Sequence, residues 1–333
     1  MGLHRLPNGN VMDDPNDKTM SKCIRRFRIV LAVLVIVPSS TVAAASVKGS
    51  RPTQLSGYKA VRVHYSPLNK MIMSVRINGQ PANLLVDIGS NQVILDAAAA
   101  ESFGVQPSQR DLRYIQFTRI NGQLLPVGFA QSLRAGGMNF GSTLVTLRDS
   151  SHSDTGDTRV DGVLGLDLLT RHKAVINCRT KLIFFKVDRT RQVDLSSVAS
   201  AEKFTKIPLR REENGALTVP CSIHGQPARV LVDTGAFITI FHEALLKSVG
   251  IPVETTRVSA HFARGAVRKV SAGQINDLKI GGFKTPPAKF GVTALPNFTL
   301  RQSSARISGI LGMDTLYNCH AIIDLDSMNL FLK

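Results

Sequence analysis

Two aspartates, each followed two positions later by a glycine, are the residues in this sequence best suited to chemistry. They begin the segments Asp87–Ser90 (Asp-Ile-Gly-Ser) and Asp233–Ala236 (Asp-Thr-Gly-Ala). Each segment follows a short apolar run, Leu84–Val86 or Val230–Val232. A carboxyl group can accept or donate a proton in general acid–base catalysis. An isolated Asp-x-Gly is usually only a turn, so a catalytic role requires that the two copies be related.

The two copies belong to an internal repeat, which is the strongest pattern in the chain. Residues 77–87 and 223–233 are identical at eight of eleven positions. Three further blocks match in the same order, at Phe103–Val105 and Val249–Ile251, at Ser132–Gly137 and Asp277–Gly282, and at Gly162–Asp167 and Gly309–Asp314. Four matching blocks in one order indicate a duplicated domain.

Each half consists mainly of strand patterns. Alternating segments at Tyr58–Tyr65, Ile72–Ile77 and Leu217–Ile223 predict strands, and Asn78-Gly79 and His224-Gly225 predict hairpin turns. Helical patterns are short, at Asp96–Phe103, at His242–Val249, and after Leu166 and Met313. Few helices among many short strands predict an all-β fold. We predict a first half at residues 46–187, a polar linker at 188–202 and a second half at 203–333.

These motifs resemble those of the aspartic proteases. The second copy has the retropepsin form Asp-Thr-Gly-Ala, and the first resembles the pepsin form Asp-Thr-Gly-Ser with Ile88 in place of Thr. The blocks Gly162–Gly165 and Gly309–Gly312 are similar to the family's second landmark, a glycine beside aliphatic residues before a short helix. The resemblance covers residues 70–186 and 215–333. It implies two retropepsin-like β-barrel halves related by a pseudo-two-fold axis.

The resemblance also implies a mechanism in which Asp87 and Asp233 form the catalytic pair. Two carboxyl groups in contact share one proton. The ionised member activates a water, and the protonated member donates to the scissile carbonyl, so neither a metal nor a cofactor is expected. Glycines without a Cβ let the two loops approach closely. The residues expected to support the pair are Gly89, Ser90, Thr234, Gly235 and Ala236.

The resemblance further implies that the threonine after each aspartate braces the pair across the interface. Thr234 can do this, whereas Ile88 has no hydroxyl. Ser90 can donate a hydrogen bond to the Asp87 carboxylate and Ala236 has no counterpart, so we expect Asp87 to be the more often ionised member. Asp167 and Asp314 each lie near the start of a short helical pattern, where the simplest expectation is an N-cap.

The resemblance also implies flaps that close over the substrate, between each aspartate and its Gly-Gly block. We assign them to residues 114–130, around Asn121 and Gly122, and to residues 258–272, around Arg264 and Gly265. A flap from each half would be closer to retropepsin dimers than to pepsin.

The N-terminal segment has the order of a Sec-type signal peptide. A basic stretch at residues 22–28 precedes nine apolar residues, Ile29–Val37, and Ala43–Ala45 fits a cleavage site. We therefore expect a periplasmic or secreted protein. The alternative is an uncleaved membrane anchor, although the apolar run is short of the roughly 20 residues that a span needs.

The formal net charge of +17 arises from basic residues scattered along the chain. We expect no nucleic-acid partner, and contact with an anionic envelope surface is the alternative use of this charge. No cysteine or histidine spacing indicates a metal site. Loss of Cys23 with the signal leaves Cys178, Cys221 and Cys319, an odd number that cannot all pair internally.

Three functional interpretations follow. The leading one is a single-chain endopeptidase, a monomer with a pseudo-dimeric site, that cleaves peptides or unfolded proteins. The second is a non-catalytic peptide-binding protein with the same fold, which Ile88 favours. The third is a homodimer in which the second halves of two chains form the active site.

Overall fold

The structure, a computed structural model, describes residues 54–67, 69–110, 114–115, 117–120, 123–149, 159–262, 267–295 and 307–333. The predicted signal segment at residues 1–45 lies outside these ranges, and so do the predicted flap residues Asn121, Gly122, Arg264 and Gly265. Within the ranges, no helix is long and apolar enough to cross a membrane.

Short strands form most of the regular structure, which confirms the predicted all-β fold with few short helices. The first half contains β1 (Tyr58–Arg62), β2 (His64–Tyr65), β3 (Met71–Ile77), β4 (Gln80–Val86), β5 (Ile94–Asp96), α1 (Ala97–Ser102), β6 (Gln109–Arg110), β7 (Tyr114–Ile115), β8 (Phe117–Ile120), β9 (Gln123–Ala135), β10 (Met138–Arg148), β11 (Gly162–Leu164), α2 (Leu166–Arg171), β12 (Val175–Asn177) and β13 (Leu182–Lys186).

The remainder repeats this order after one helix. It contains α3 (Leu195–Ala201), β14 (Thr205–Pro208), β15 (Arg210–Arg211), β16 (Leu217–Ile223), β17 (Gln226–Val232), β18 (Ile240–His242), α4 (Glu243–Ser248), β19 (Val253–His261), β20 (Val267–Ile275), β21 (Lys279–Ile280), β22 (Phe283–Lys284), β23 (Ala288–Thr293), β24 (Ile307–Leu311), α5 (Met313–Asn318), β25 (Ile322–Asp324) and β26 (Asn329–Leu332).

The two predicted hairpin turns form where the sequence indicated them. Asn78 and Gly79 have φ angles of 49° and 86°, and His224 and Gly225 have φ angles of 48° and 77°. Positive φ at both central residues is what a two-residue type I′ turn requires, because its twist matches that of the flanking strands. These turns fix the register of the β3–β4 and β16–β17 hairpins, and hence the point at which β4 and β17 end.

Each half has its own large sheet. In the first half the strand order is β2-β3-β4-β11-β5-β10-β9-β8. In the second half it is β19-β20-β23-β18-β24-β17-β16-β21-β22, with β15 paired to β16. In both sheets the strand before the Asp-x-Gly segment lies beside the strand of the second landmark.

That central pairing is the same in both halves. Strand β4 runs parallel to β11 with Leu84 opposite Gly162, and β17 runs parallel to β24 with Val230 opposite Gly309. On their other sides, β11 and β24 pair antiparallel with β5 and β18. The chain therefore leaves the strand before the aspartate, turns, and returns on the far side of a middle strand. This path carries each Asp-x-Gly loop across the end of the middle strand.

A third sheet, of six strands, is shared by the two halves in the order β1-β13-β12-β25-β26-β14. Its two middle strands come from different halves and pair antiparallel, with Ile176 opposite Ile323. The predicted linker at residues 188–202 contains α3, whose N-cap Asp194 accepts hydrogen bonds from the amides of Ser196 and Ser197. The predicted boundaries of the halves stay predictions.

Glycines at the second landmark leave room for the chain beneath the Asp-x-Gly loops. A Cβ on Gly165 would collide with the main-chain oxygen of Gln92, and a Cβ on Gly312 would collide with that of Ile238. A real side chain could be accommodated only if the backbone moved. The landmark glycines are therefore needed for packing against the loop.

Replacing Gly165 by alanine should lower the free energy of unfolding by about 1–3 kcal/mol, because the added methyl overpacks a site lined by backbone. Urea denaturation measures the change. Gly137 is the matched control, since a Cβ there would meet nothing within 4 Å. Equal losses for Gly165→Ala and Gly137→Ala would contradict the packing role.

Candidate active site

Asp87 and Asp233 occupy the same local position in the two halves. Asp87 follows β4, and its amide donates to the carbonyl oxygen of Leu164 at 3.1 Å. Asp233 follows β17, and its amide donates to that of Leu311, also at 3.1 Å. Each aspartate is thus the last residue held by the parallel strand pair before its loop begins.

Within each loop the carboxylate accepts two hydrogen bonds from the amides that follow it. Oδ1 of Asp87 accepts from Gly89 at 2.7 Å and from Ser90 at 3.2 Å. Oδ1 of Asp233 accepts from Gly235 at 2.8 Å and from Ala236 at 3.2 Å. The backbone amides of its own loop therefore orient each carboxyl group.

The two loops meet through their glycines. A Cβ on Gly89 would lie 2.6 Å from Cγ of Asp233, and a Cβ on Gly235 would lie 2.6 Å from both carboxylate oxygens of Asp87. Real Cβ contacts are not this short, so each glycine allows the opposite carboxyl group to approach. The structure thus brings Asp87, Gly89, Asp233 and Gly235 together within one chain.

Thr234 braces the interface from one side only. Its buried hydroxyl accepts a hydrogen bond from the amide of Ile88 at 3.1 Å and donates to the carbonyl oxygen of Val86 at 2.8 Å. Ile88 is fully buried at the equivalent place. It has no oxygen with which to return the contact, so the brace is asymmetric.

The environment of the pair favours a shared proton. Burial raises the pKa of Asp87 well above its ordinary value, and the charge of Asp233 and the hydrogen bond between the two carboxyl groups raise this pKa further. The amides of Gly89 and Ser90 act in the opposite direction but do not outweigh these effects. Burial and the neighbouring carboxyl group therefore both favour the protonated form of Asp87.

The expected hydrogen bond from the Ser90 hydroxyl to the Asp87 carboxylate is wrong. The Ser90 hydroxyl donates to the carbonyl oxygen of Gln92 at 3.1 Å, and only the Ser90 amide contacts the Asp87 carboxylate. Ala236 makes the same amide contact with Asp233. The side-chain difference between Ser90 and Ala236 therefore does not distinguish the two carboxyl groups.

The short helices α2 and α5 support the loops from beneath. The amide of Leu166 donates to the carbonyl oxygen of Ser90 at 2.7 Å, and that of Met313 donates to Ala236 at 2.8 Å. The expected N-cap roles of Asp167 and Asp314 are wrong, because Gly165 and Gly312 occupy the cap positions. Both aspartates lie inside the first helical turn instead.

Asp314 has a partner that Asp167 lacks. Oδ1 of Asp314 accepts from the amide and the hydroxyl of Thr239, at 2.8 Å and 2.7 Å. Val93 stands at the equivalent place in the first half. Oδ1 of Asp167 is buried without a hydrogen-bond partner, and burial raises the pKa of Asp167. Aligning the two repeats places Val93 opposite Thr239, but the sequence does not show that Thr239 contacts Asp314, 75 positions further along the chain.

The segments assigned as flaps contain hairpins in both halves. Strands β8 and β9 pair with Phe117 opposite Pro126, and β19 and β20 pair with Ala260 opposite Arg268. The predicted flap residues Asn121, Gly122, Arg264 and Gly265 lie outside the described residues. Their assignment stays a prediction.

Among the described residues, no group of three or more histidine, cysteine, aspartate or glutamate side chains is arranged to hold a metal ion. Cys178, Cys221 and Cys319 are buried free thiols. Burial raises the pKa of Cys178 and of Cys221 to about 12.

Two β halves that join two Asp-x-Gly loops at their interface define the aspartic protease class of fold. The sequence profile of the aspartyl protease family matches residues 73–168 and, a second time, residues 219–315. The two matches together cover more than half of the chain. This protein therefore belongs to the aspartyl protease family, as a duplicated, retropepsin-like member.

Solved structures that match this chain share little sequence with it. They include conglutin gamma, a basic 7S globulin from lupine seeds (10% identity, TM-score 0.49, covering 83% of this chain and 95% of that one). Others are the basic 7S globulin from soybean (12%, 0.48, 83% and 94%) and the aspartic proteinase from Irpex lacteus (13%, 0.47, 83% and 96%). No curated protein gives a significant sequence match.

Replacing Thr234 by valine should lower the free energy of unfolding by about 1–3 kcal/mol, because the buried Ile88 amide and Val86 carbonyl lose their partner. Urea denaturation measures the loss. Thr255→Val is the control, since Thr255 is exposed in β19. A Thr234→Val variant as stable as the control would show that the hydroxyl is not a brace.

The raised pKa of Asp87 predicts a specific dependence of stability on pH. The folded state binds the Asp87 proton more tightly than the unfolded chain, so this contribution is full below the unfolded pKa and is lost as pH rises through the folded pKa. Asp87→Asn has no proton to lose. Its stability relative to the wild type should therefore rise between pH 3 and pH 7, as measured by urea denaturation. A constant difference would contradict the raised pKa.

Proposed function

We propose that this protein is an exported aspartic endopeptidase that hydrolyses peptide bonds in peptides or unfolded proteins. Asp87 and Asp233 are its catalytic pair. The observation that carries the proposal is the reciprocal contact in which each loop glycine lies against the carboxyl group of the other half. Without this contact the family fold would hold two separate turns; with it, two carboxyl groups face one substrate position.

The chemistry follows from one proton held between two carboxyl groups. Both cannot ionise cheaply at this separation, so the pair carries one charge across the acidic range. The ionised carboxylate removes a proton from water as the water attacks the scissile carbonyl carbon. The protonated carboxyl donates its proton to the carbonyl oxygen, which gives a tetrahedral intermediate without any covalent bond to the enzyme. The carboxyl group that took the proton from water then protonates the amide nitrogen, and the other carboxylate takes a proton from a hydroxyl of the intermediate. The C–N bond breaks, the carbonyl reforms, and the pair again holds one proton.

The proposed location is outside the cytoplasm, after a Sec-type signal, with a membrane-anchored form as the alternative. This rests on the sequence of residues 22–45 alone. The positive net charge supports contact with an anionic envelope surface.

The catalytic pair of the proposed enzyme is intramolecular. Thr234 of the second half bonds to Val86 and Ile88 of the first half in the same chain. A site formed between the second halves of two chains would have to break these buried contacts. We therefore favour a monomer. The alternative, a homodimer, is tested by measuring activity on dilution.

A non-catalytic peptide-binding protein is the second candidate, and the buried Ile88 is the observation that favours it. The missing hydroxyl leaves the second-half loop with one brace fewer than the first-half loop. If turnover requires both braces, the protein binds peptides in the same cleft and releases them uncut.

The decisive assay is cleavage of an unfolded protein between pH 3 and pH 7. Asp87→Asn and Asp233→Asn should each reduce kcat/KM by at least about 100-fold, because each removes one partner in general acid–base catalysis. Asp149→Asn, at an exposed position, is the matched control and should retain wild-type activity.

Two other outcomes would redirect the proposal. If only Asp233→Asn abolishes cleavage, the intermolecular site is favoured. If the folded wild type cuts nothing while Ile88→Thr cuts in an Asp87-dependent way, the chain is the peptide-binding protein of the second candidate.

A further inference from the structure

Although basic residues occur along the whole chain, two segments of the first half carry basic residues and no acidic ones. Residues 54–86 contain four lysines or arginines and residues 168–186 contain five, and neither segment contains an aspartate or a glutamate. The equivalent segments of the second half are mixed. Residues 200–232 contain five basic and three acidic residues, and residues 315–333 contain one basic and two acidic residues. This charge is therefore a property of one copy and not of the duplicated fold.

The fold brings the two basic segments together. Strand β1 pairs with β13, and Arg62 at the end of β1 is exposed. The amide of Val63 donates to the carbonyl oxygen of Lys181 at 2.9 Å, and the hydroxyl of Tyr65 donates to that of Cys178. The end of β1 and the turn between β12 and β13 therefore form one continuous surface.

Two tyrosines, one from each half, hold the cations of this surface. The rings of Tyr65 and Tyr317 lie 5.7 Å apart in an edge-to-face arrangement. The guanidinium carbon of Arg179 lies 4.3 Å from the centre of the Tyr317 ring, and Nζ of Lys181 lies 5.6 Å from the centre of the Tyr65 ring. Both distances are typical of cation–π contacts. Arg179 and Lys181 are nevertheless exposed, so their nitrogen donors can reach an external anion.

These two cations are not neutralised by the part of the chain that the structure describes. Two other lysines of the first half, Lys173 and Lys186, pair with Asp326 at 2.7 Å and 2.6 Å. Among the described residues, Arg179 and Lys181 form no ion pair with an acidic group. Their charge is therefore available to a partner.

The electrostatic field here is positive. Burial, and then the charges of Arg179 and Lys333, lower the pKa of His320, because a nearby positive charge disfavours the imidazolium. Lys333 is itself paired with Glu202 at 3.5 Å, so it is not counted as part of the surface. We call this area the basic surface; it consists of Arg62, Tyr65, Arg179, Lys181 and Tyr317.

We propose that the basic surface binds the anionic phospholipid surface of a membrane. Lysine and arginine are attracted to anionic lipids, and tyrosine is favoured at the depth of the lipid headgroups. A nucleic acid would match the charge, but its bases stack on open aromatic faces. The rings of Tyr65 and Tyr317 are nearly perpendicular, at 80°, and each faces a cation, so they do not offer successive stacking platforms.

This inference deepens the proposed export of the protein and rests on it. Residues 38–53 separate the apolar run from the described fold, and a chain of this length extends at most about 55 Å. If the apolar run stays in the membrane, the folded halves are held near the lipid. If the run is removed with the signal, the basic surface is the contact that keeps the protein at the envelope.

A local probe tests this contact in the full-length chain, whatever the N-terminal segment does. Cys23 is replaced by serine, and an environment-sensitive fluorophore is attached to one new cysteine. Thr180→Cys places the fluorophore at the basic surface, and Ser248→Cys places it on α4 as the control site. The native cysteines at 178, 221 and 319 are buried.

The labelled proteins are mixed with vesicles of phosphatidylcholine alone, or of phosphatidylcholine and phosphatidylglycerol in equal parts. The emission of the Thr180 probe should increase and shift to the blue with the anionic vesicles only. High salt should remove the response, because it screens the attraction. The Ser248 probe should not respond.

Charge variants of the Thr180-labelled protein locate the effect. Arg179→Gln and Lys181→Gln, made together, should raise the lipid concentration of half-maximal response by at least about 10-fold, because each cation contributes to the attraction. Lys279→Gln and Lys284→Gln are the matched control. They remove the same charge from the exposed β21–β22 hairpin of the second half and should leave the response unchanged. Thermal unfolding checks that each variant is folded.

The proposal is overturned if the Thr180 probe does not respond, if the Ser248 probe responds equally, or if the two double variants behave alike. A response to DNA or heparin but not to the vesicles would also overturn it. The readout is independent of hydrolysis. If the vesicles bind as expected while the wild type cleaves nothing, the basic surface stands and the proposed endopeptidase fails. If the wild type cleaves while the Thr180 probe stays silent, the endopeptidase stands and this inference fails.

Discussion

The close approach of two carboxyl groups from different halves of one chain governs how the surrounding loops, strands and short helices are arranged. Bringing two like charges together costs free energy unless they share a proton, and the surrounding protein raises that cost by limiting hydration. The backbone limits this cost. The amides of residues 89, 90, 235 and 236 orient the carboxylates, and the loop glycines lack the Cβ atoms that would keep the loops apart. Strand pairing, the landmark glycines and the short helices then hold each loop in the equivalent position of its half.

Duplication within one chain lets the two copies differ, which identical subunits related by a symmetry axis cannot do. Two pairs of equivalent positions show how the halves differ near the carboxyl groups. Ile88 and Thr234 make the brace one-sided, and Val93 and Thr239 leave Asp167 without the hydroxyl partner that Asp314 has. The hydrogen bonds from the loop amides to the carboxyl groups remain symmetric, whereas the side chains around them do not.

Much of the fold could be predicted because its signals are local or duplicated. The hairpin turns at Asn78-Gly79 and His224-Gly225 follow from residues that tolerate positive φ, and the match of Asp87 with Asp233 follows from the repeat. What could not be predicted depends on contacts distant in sequence. The direction of the Ser90 hydroxyl is set by the carbonyl of Gln92, and the Asp314 carboxylate binds Thr239. The pairing of β12 with β25 joins the closing segments of the two halves.

Asp87 and Asp233 share one proton across the interface, and titration of the Asp87 carboxyl carbon by NMR tests this sharing. In the wild type, the Asp87 carboxyl should titrate well above the ordinary aspartate pKa of about 3.9. In Asp233→Asn, its pKa should fall, because the neighbouring charge is gone while the burial remains. An Asp87 carboxyl that titrates near its ordinary pKa, and is unchanged by Asp233→Asn, would show that the two groups do not form a pair.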